Sequence, residues 1–160
     1  MKNKTYSTNF LKLIIFLSGV FVVSLYILIM SIFIKEISKN YQFTALYPTS
    51  LCFTVSLIPF YFALYRTLNI LSYIDKNNAF SNLSVKALKS IKNCAISISI
   101  IHTANLPFLY FWADKADAPG IIIIGLVLVF VPIIIATFSE ILKRLLKQAI
   151  DIKDDNDLTI

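Results

Sequence analysis

Four long stretches without a charged side chain limit what this chain can fold into. They are residues 13–34, 40–65, 93–113 and 118–139. An α-helix rises about 1.5 Å per residue, so roughly 20 apolar residues cross the hydrocarbon core of a bilayer, which is about 30 Å thick. Each stretch is long enough for that crossing, whereas the shorter buried helices of a soluble core are not free of charge over such lengths. The sequence therefore predicts four transmembrane helices.

The composition argues against a water-soluble domain of this size. Hydrophobic residues make up 58% of the 160 residues, and charged residues only 15%. Soluble domains carry about 25% charged residues. A soluble chain needs polar surface to cover its core, and this chain has too little of it. We expect an all-α integral membrane protein that forms a single membrane domain over residues 1–160.

The positions of polar and turn-forming residues set the predicted boundaries. Ser81 or Asn82 can cap a new helix after a cluster of turn formers. The predicted spans are about residues 11–34, 46–71, 93–113 and 119–141.

Small residues recur along the third span. Ala95, Ser99 and Thr103 are spaced every four residues, so a neighbouring helix can approach closely there.

Two polar segments lie outside the spans. A basic connector, residues 72–92, joins the second span to the third, and we expect its second half to form an amphipathic turn or two at the membrane surface. The fourth span should continue as a cytoplasmic helical extension, because apolar residues from Phe138 to Ile150 keep the spacing of one helical face. Glu140 should form ion pairs three and four residues further on. An acidic, frayed tail over residues 151–160 ends the chain.

The distribution of basic residues predicts the orientation. Twelve of the 15 Lys and Arg residues lie within the first 12 residues, between residues 66 and 92 or after the fourth span, and three lie in the other two connections. Cytoplasmic loops carry the excess of Lys and Arg, so both termini and the connector should be cytoplasmic. The net charge of +6 is thus a topology signal. It indicates a bilayer with anionic headgroups as a partner, and no direct contact with nucleic acid.

Four basic side chains at the inner surface are candidate contacts, namely Arg66, Lys86, Lys89 and Lys92. Arg66 ends the second span, where it can bind a lipid phosphate or simply stop the span. The three lysines can contact anionic headgroups, each contact contributing about 1 kcal/mol near the surface. They can also dock a partner protein, although headgroup contact is the commoner use of such residues.

Polar residues near the middle of the third span form a second candidate site. His102 is the one histidine of the chain, and Asn105 follows it by three residues. An ionisable residue at mid-membrane is a functional-site candidate by default. The structural alternative is a neutral imidazole hydrogen-bonded to Asn105 or to another span. That alternative is the commoner one, because none of the four uncharged stretches holds an Asp or Glu that would complete a proton relay.

No motif indicates an enzyme. The sequence contains no nucleophile motif and no Gly-rich phosphate loop. One histidine and two distant cysteines do not supply the ligands of a zinc or haem site. Cys52 and Cys94 lie near opposite ends of their spans, farther apart than the Cα separation of about 7 Å that a disulfide allows. We expect no catalytic residue, no cofactor and no metal site.

Two polar segments carry a family resemblance. They are residues 75–93, DKNNAFSNLSVKALKSIKN, and residues 140–160, EILKRLLKQAIDIKDDNDLTI. With four spans in a chain of this length, they resemble the YoaS-like family of small bacterial membrane proteins, a domain of unknown function. Members usually show Asn-Pro-Phe where this chain has Asn78-Ala79-Phe80. The resemblance implies a multi-pass protein of the bacterial cell membrane. Because members are frequently encoded beside a small helix-turn-helix regulator, it also implies a regulatory partner of that kind.

Three functions are open at this point. The first is a non-enzymatic sensor or tether for a cytoplasmic regulator, working through the connector and the tail, with the acidic tail folded back on Lys86 and Lys89. The second is a small transporter or channel, such as a homodimer, with a polar path at His102 and Asn105. The third is a membrane immunity protein against a peptide toxin, which the four-span form permits.

Overall fold

The computed structural model describes residues 2–39, 46–76 and 78–158. These residues form four α-helices and no β-strand. Each helix contains a segment long and apolar enough to cross a membrane. The prediction of an all-α protein with four transmembrane helices is therefore confirmed. The helices are α1 (Lys2–Lys39), α2 (Leu46–Asp75), α3 (Asn82–Lys115) and α4 (Gly120–Leu158).

Consecutive helices run antiparallel, so the molecule has two distinct ends. The end with the α2–α3 connection, the start of α1 and the end of α4 is called the basic end. The opposite end holds the α3–α4 turn and is called the hairpin end. At the basic end Ser81 caps α3 as predicted, because its side chain accepts a hydrogen bond from the Ser84 amide. In the α3–α4 turn Asp117 adopts a φ of 48°, a left-handed conformation that a short polar residue tolerates.

The helices pack in chain order. Among the described residues, Cα atoms come within 8 Å of each other only between α1 and α2, α2 and α3, and α3 and α4. The α1–α2 contact is the least extensive of the three. Helix α3 is the central element, and small residues on its buried face allow close approach of its neighbours. Its buried residues are Ser84, Ala87, Cys94, Ala95, Ser99, His102, Asn105, Leu109 and Ala113.

One member of the predicted close-approach face lies elsewhere. Ala95 and Ser99 are buried, whereas Thr103 is exposed and donates its hydroxyl to the Ser99 carbonyl of its own helix. A spacing of four residues drifts around a helix that has 3.6 residues per turn. The third position of the series has therefore turned away from the interface.

Helix α1 is held by a few specific contacts. Lys12 forms an ion pair with Asp75 near the basic end. The Tyr61 hydroxyl donates to the Gly19 carbonyl at 2.8 Å. Towards the hairpin end the ring of Phe33, only 3% exposed, meets the ring of Trp112 on α3 with 5.1 Å between centroids. Most other apolar side chains of α1 are exposed, which is expected of a helix surface that contacts lipid.

The connector and the tail are more helical than their polar sequences suggest. Helix α3 runs unbroken from Asn82, so residues 82–92 are its first turns and lead directly into the third span, while their position at a membrane surface stays a prediction. The predicted helical extension of α4 is confirmed, and it reaches Leu158. The expected fraying is therefore wrong up to that residue. Residues 154–158 continue the helix axis instead of folding back on Lys86 and Lys89, and residues 159–160 lie outside the described part of the chain.

Candidate functional site

A narrow apolar cavity of about 520 Å³ lies between the four helices. Ligand pockets in proteins usually measure about 300–1,000 Å³. The wall runs from Thr67 and Ile91 towards the basic end to Phe53 and His102 towards the hairpin end. The stretch of α2 from Phe53 to Thr67 corresponds to about 20 Å at the rise of an α-helix. The cavity is therefore long and thin, and it lies along the helices.

His102 closes the cavity on the side of the hairpin end. Its side chain is only 3% exposed, and its ring meets the edge of Phe53 with 5.3 Å between centroids. The Nδ1 atom is buried and has no hydrogen-bond partner among the described residues. An unpaired polar atom in such a place costs about 1–3 kcal/mol. His102 is therefore a residue of the wall with a buried nitrogen that pairs with no described residue.

The other polar side chains of the wall are already paired. Tyr26 shares a hydrogen bond of 2.9 Å with Thr54 on α2. Ser56 donates to the Phe53 carbonyl, and Thr67 donates to the Ala63 carbonyl. These hydroxyls are occupied by α1–α2 pairing or by their own helix. Among the described polar side chains of the wall, His102 thus carries the unpaired polar atom.

Asn105 does not share the cavity with His102. It is fully buried, and neither atom of its amide has a hydrogen-bond partner among the described residues. The hydrogen bond to Asn105, one of the two that the structural alternative for His102 allowed, is therefore not formed. The two residues share the buried face of α3, but Asn105 lies outside the cavity wall.

A group of charged residues marks the α3–α4 interface towards the basic end. The Glu140 carboxylate accepts hydrogen bonds from Lys92 at 3.1 Å, Lys143 at 2.7 Å and Arg144 at 3.2 Å. The pairs with Lys143 and Arg144 were predicted from their spacing and are confirmed. The Lys92 pair links two helices and was not predicted, since sequence spacing does not show which side chains meet across an interface. Lys92, Glu140, Lys143 and Arg144 are called the charged belt.

The four candidate contact residues occupy three places. Lys92 belongs to the charged belt, and the guanidinium of Arg66 on α2 lies 4.8 Å from the centre of the Phe62 ring. The Arg66 Nε atom is buried without a partner among the described residues. Lys86 and Lys89 lie beyond the belt on the first turns of α3, with exposed side chains. Contact of these residues with lipid headgroups or a partner stays a prediction.

Comparison with known proteins gives a consistent result. The family described as "Protein of unknown function (DUF2975)" matches residues 38–160. This chain belongs to the DUF2975 family. It is 48% identical over 157 residues to the "Uncharacterized membrane protein YoaS" of Bacillus subtilis (strain 168), covering 96% of this chain and 98% of that relative. The resemblance to YoaS-like membrane proteins is thereby confirmed. No solved structure matches the chain.

The DUF2975 match covers three of the four helices. It begins at residue 38 and so contains α2, α3 and α4, while nearly all of α1 precedes it. The matched helices also make the most extensive contacts with one another. The DUF2975 part of this chain therefore contains the charged belt and three of the four cavity walls, including His102.

Proposed function

We propose that this DUF2975 protein is a non-enzymatic membrane sensor or tether that works with a cytoplasmic regulator. The observation that carries the proposal is that α3 and α4 both continue through the charged belt without a break. Helix α3 begins about 15 Å before Lys92, and α4 continues about 20 Å beyond Arg144. Residues 78–91 and 145–158 are called the projection. Such a rod on one side of the membrane gives a soluble partner a surface to bind.

The surface of the projection suits a protein partner. Lys86 and Lys89 are exposed, and so are four large apolar side chains, with Phe80 at 61%, Leu83 at 49%, Leu145 at 57% and Ile152 at 63%. Apolar surface outside the hydrocarbon core gains free energy when a partner covers it. The α3 part of the projection carries basic charged side chains only, which favour a partner with acidic groups, whereas the α4 part also exposes Asp151, Asp154 and Asp155. These features support docking of a regulator that presents acidic and apolar residues.

The packing of the projection supports a role in transmission. Ser84 and Ala87 are each 2% exposed and Ile150 is 9% exposed, so α3 is packed against its neighbours beyond the belt. The Lys12–Asp75 ion pair also ties the start of α1 to the end of α2, just before the projection. A shift of the loosely packed α1 in the bilayer would therefore move the end of α2, which lies next to the projection that binds the regulator.

Affinity capture from native bacterial membranes in mild detergent, followed by mass spectrometry, tests this proposal. We expect a small helix-turn-helix protein in near-stoichiometric amount. The variant Lys86→Glu/Lys89→Glu should lose it, because the charge of the docking surface is reversed. Lys35→Glu is the control, since Lys35 is an exposed lysine near the opposite end of the molecule. Equal capture by both variants, or recovery of the protein alone across detergents, would contradict the proposal.

A small transporter is the second candidate, and the cavity with His102 is the observation that favours it. Its walls are apolar, so the solute would be lipophilic and not an ion. Asn105 lies outside the wall, which leaves His102 as the residue to change first. Full transport activity of His102→Ala would remove the support for this candidate. An immunity role stays a prediction from the four-span form.

A further inference from the structure

The shape of the central cavity limits what can enter it. The cavity extends over about 20 Å of helix and has a volume of about 520 Å³, so it is elongated. An elongated apolar space of this volume suits one hydrocarbon chain better than a two-chain phospholipid. The walls are apolar, so a saturated chain that leaves the bilayer for this space exchanges one set of apolar contacts for another. A single-chain lipid is therefore the class of molecule that fits.

The position of His102 limits the polar part of that molecule. The imidazole lines the hairpin side of the cavity, and its Nδ1 atom is buried without a partner among the described residues. Rotation of the ring towards the cavity would let a ligand group pair with this nitrogen and so remove the cost of leaving it unpaired. The ligand should therefore carry one hydrogen-bonding group at the end of its chain.

The depth of His102 in the bilayer excludes a charged headgroup. Trp112 marks the interfacial region near the hairpin end, and His102 precedes it on α3 by about 15 Å. That depth is near the middle of a hydrocarbon core of about 30 Å. A phosphate or an ammonium group is costly to place there. A hydroxyl or a carbonyl group needs only the one hydrogen bond that His102 can supply.

A route into the cavity exists between α1 and α4. Among the described residues, no Cα atom of α1 comes within 8 Å of one on α4, although both helices contribute to the wall. Leu25 on α1 and Val127 and Val131 on α4 line the cavity, yet they are 41%, 52% and 46% exposed. The slot between these residues opens sideways, so a lipid can enter from the bilayer without crossing water.

We propose that the cavity is a binding site for a neutral single-chain lipid whose terminal hydroxyl or carbonyl group hydrogen-bonds to His102. The chain of the lipid runs from His102 towards Thr67 and the basic end. This site stands independently of the proposed regulator, because it rests on the cavity and not on the projection. A bound lipid would fill the space between α1 and the three helices of the DUF2975 match.

Photolabelling of the purified full-length protein with a diazirine analogue of hexadecanol tests the proposal. Hexadecanol should compete with labelling about fivefold better than hexadecane, the effect of one hydrogen bond. His102→Phe keeps the ring against Phe53 but removes the polar atom, so it should abolish this preference for the alcohol. His102→Gln restores a hydrogen-bonding group and should recover part of it.

Two variants on α2 distinguish labelling inside the cavity from labelling of the lipid-facing surface. Ala63→Phe places a ring in the cavity wall, whereas Ile58→Phe adds a ring at a position that is 72% exposed. Labelling should fall strongly in the first and stay at the wild-type level in the second. Val131→Trp, at the entrance slot, serves the same purpose if Ala63→Phe does not fold. Equal competition by alcohol and alkane in the wild type, or unchanged labelling in the blocked variants, would overturn the proposal.

Discussion

Lys92 on α3 donates a hydrogen bond of 3.1 Å to Glu140 on α4, and so joins two residues that lie 48 positions apart in the chain. The same carboxylate binds Lys143 and Arg144 of its own helix. One acid thus neutralises part of a group of three cations. The pair fixes the register of α3 against α4 at the point where both helices continue into the projection.

Replacing Glu140 should loosen this register. Glu140→Gln keeps the size of the side chain but leaves three cations close together without their shared acid. We expect a lower midpoint of thermal unfolding in detergent, and a larger decrease at low salt, where charges are less screened. Lys143→Gln is the control, because Glu140 then keeps two of its three partners. A midpoint no lower for Glu140→Gln than for Lys143→Gln would show that the belt does not hold the helices together.

A hydrogen bond between helices should contribute a small but measurable stability. The buried Ser99 hydroxyl donates to the Val129 carbonyl on α4 at 3.1 Å. Ser99→Ala should lower the free energy of unfolding by about 0.6 kcal/mol, the typical value for such bonds in membrane proteins. Ser97→Ala is the matched control on the same helix, because its exposed hydroxyl bonds only the Asn93 carbonyl. Steric trapping or unfolding in denaturing detergent measures both, and equal losses would contradict the prediction.

The close approach of α3 and α4 depends on Gly125. A Cβ atom at this position would lie 2.8 Å from Leu109 Cδ1 and 3.1 Å from Leu106 Cδ2. The ends of leucine side chains can move, so alanine should be tolerated, but Gly125→Leu should destabilise the protein by about 1–3 kcal/mol through overpacking. A Cβ atom at Gly120 would meet nothing within 4 Å, which makes Gly120→Leu the control. Similar unfolding midpoints for the two leucine variants would refute this packing.

Asn105 offers a test of whether a buried amide is structural. The residue is fully buried, and its amide has no hydrogen-bond partner among the described residues. Asn105→Leu has a similar size and removes the unpaired polar atoms, so it should raise the free energy of unfolding by about 1–3 kcal/mol. Asn93→Leu, an exposed position on the same helix, controls for the added hydrophobicity. A destabilised Asn105→Leu would contradict this prediction and show that the amide stabilises the folded protein.

Local features of the fold followed from the order of residues. The uncharged stretches predicted the four spans, Ser81 was one of the two residues proposed as a cap, and the pairs of Glu140 with Lys143 and Arg144 follow from helical spacing. The end of α4 was predicted too early. The acidic residues after Ile150 are typical of a solvated tail, and nothing in their order shows that the helix continues to Leu158. The assignment of the basic end to the cytoplasm stays a prediction of the Lys and Arg distribution.

The candidate site could be predicted only in part. His102 and Asn105 stood out as polar residues in an apolar span, but their spacing suggested one shared site. The structure instead puts His102 in a cavity wall and Asn105 outside it. The surroundings of each side chain depend on which residues the neighbouring helices place at the same depth. The cavity had no signal in the sequence, since its walls come from four helices and consist of residues common in any span.

The sequence by itself determined that the chain crosses a membrane as four helices, because length and hydrophobicity alone govern the transfer of a helix into lipid. Only the tertiary structure decided which face of each helix is buried, that the helices pack in chain order, and that Lys92 meets Glu140. The physical reason is that lipid tails are as apolar as a leucine side chain. A membrane helix therefore carries no apolar stripe to mark its buried face, and close packing and hydrogen bonds between helices choose it instead.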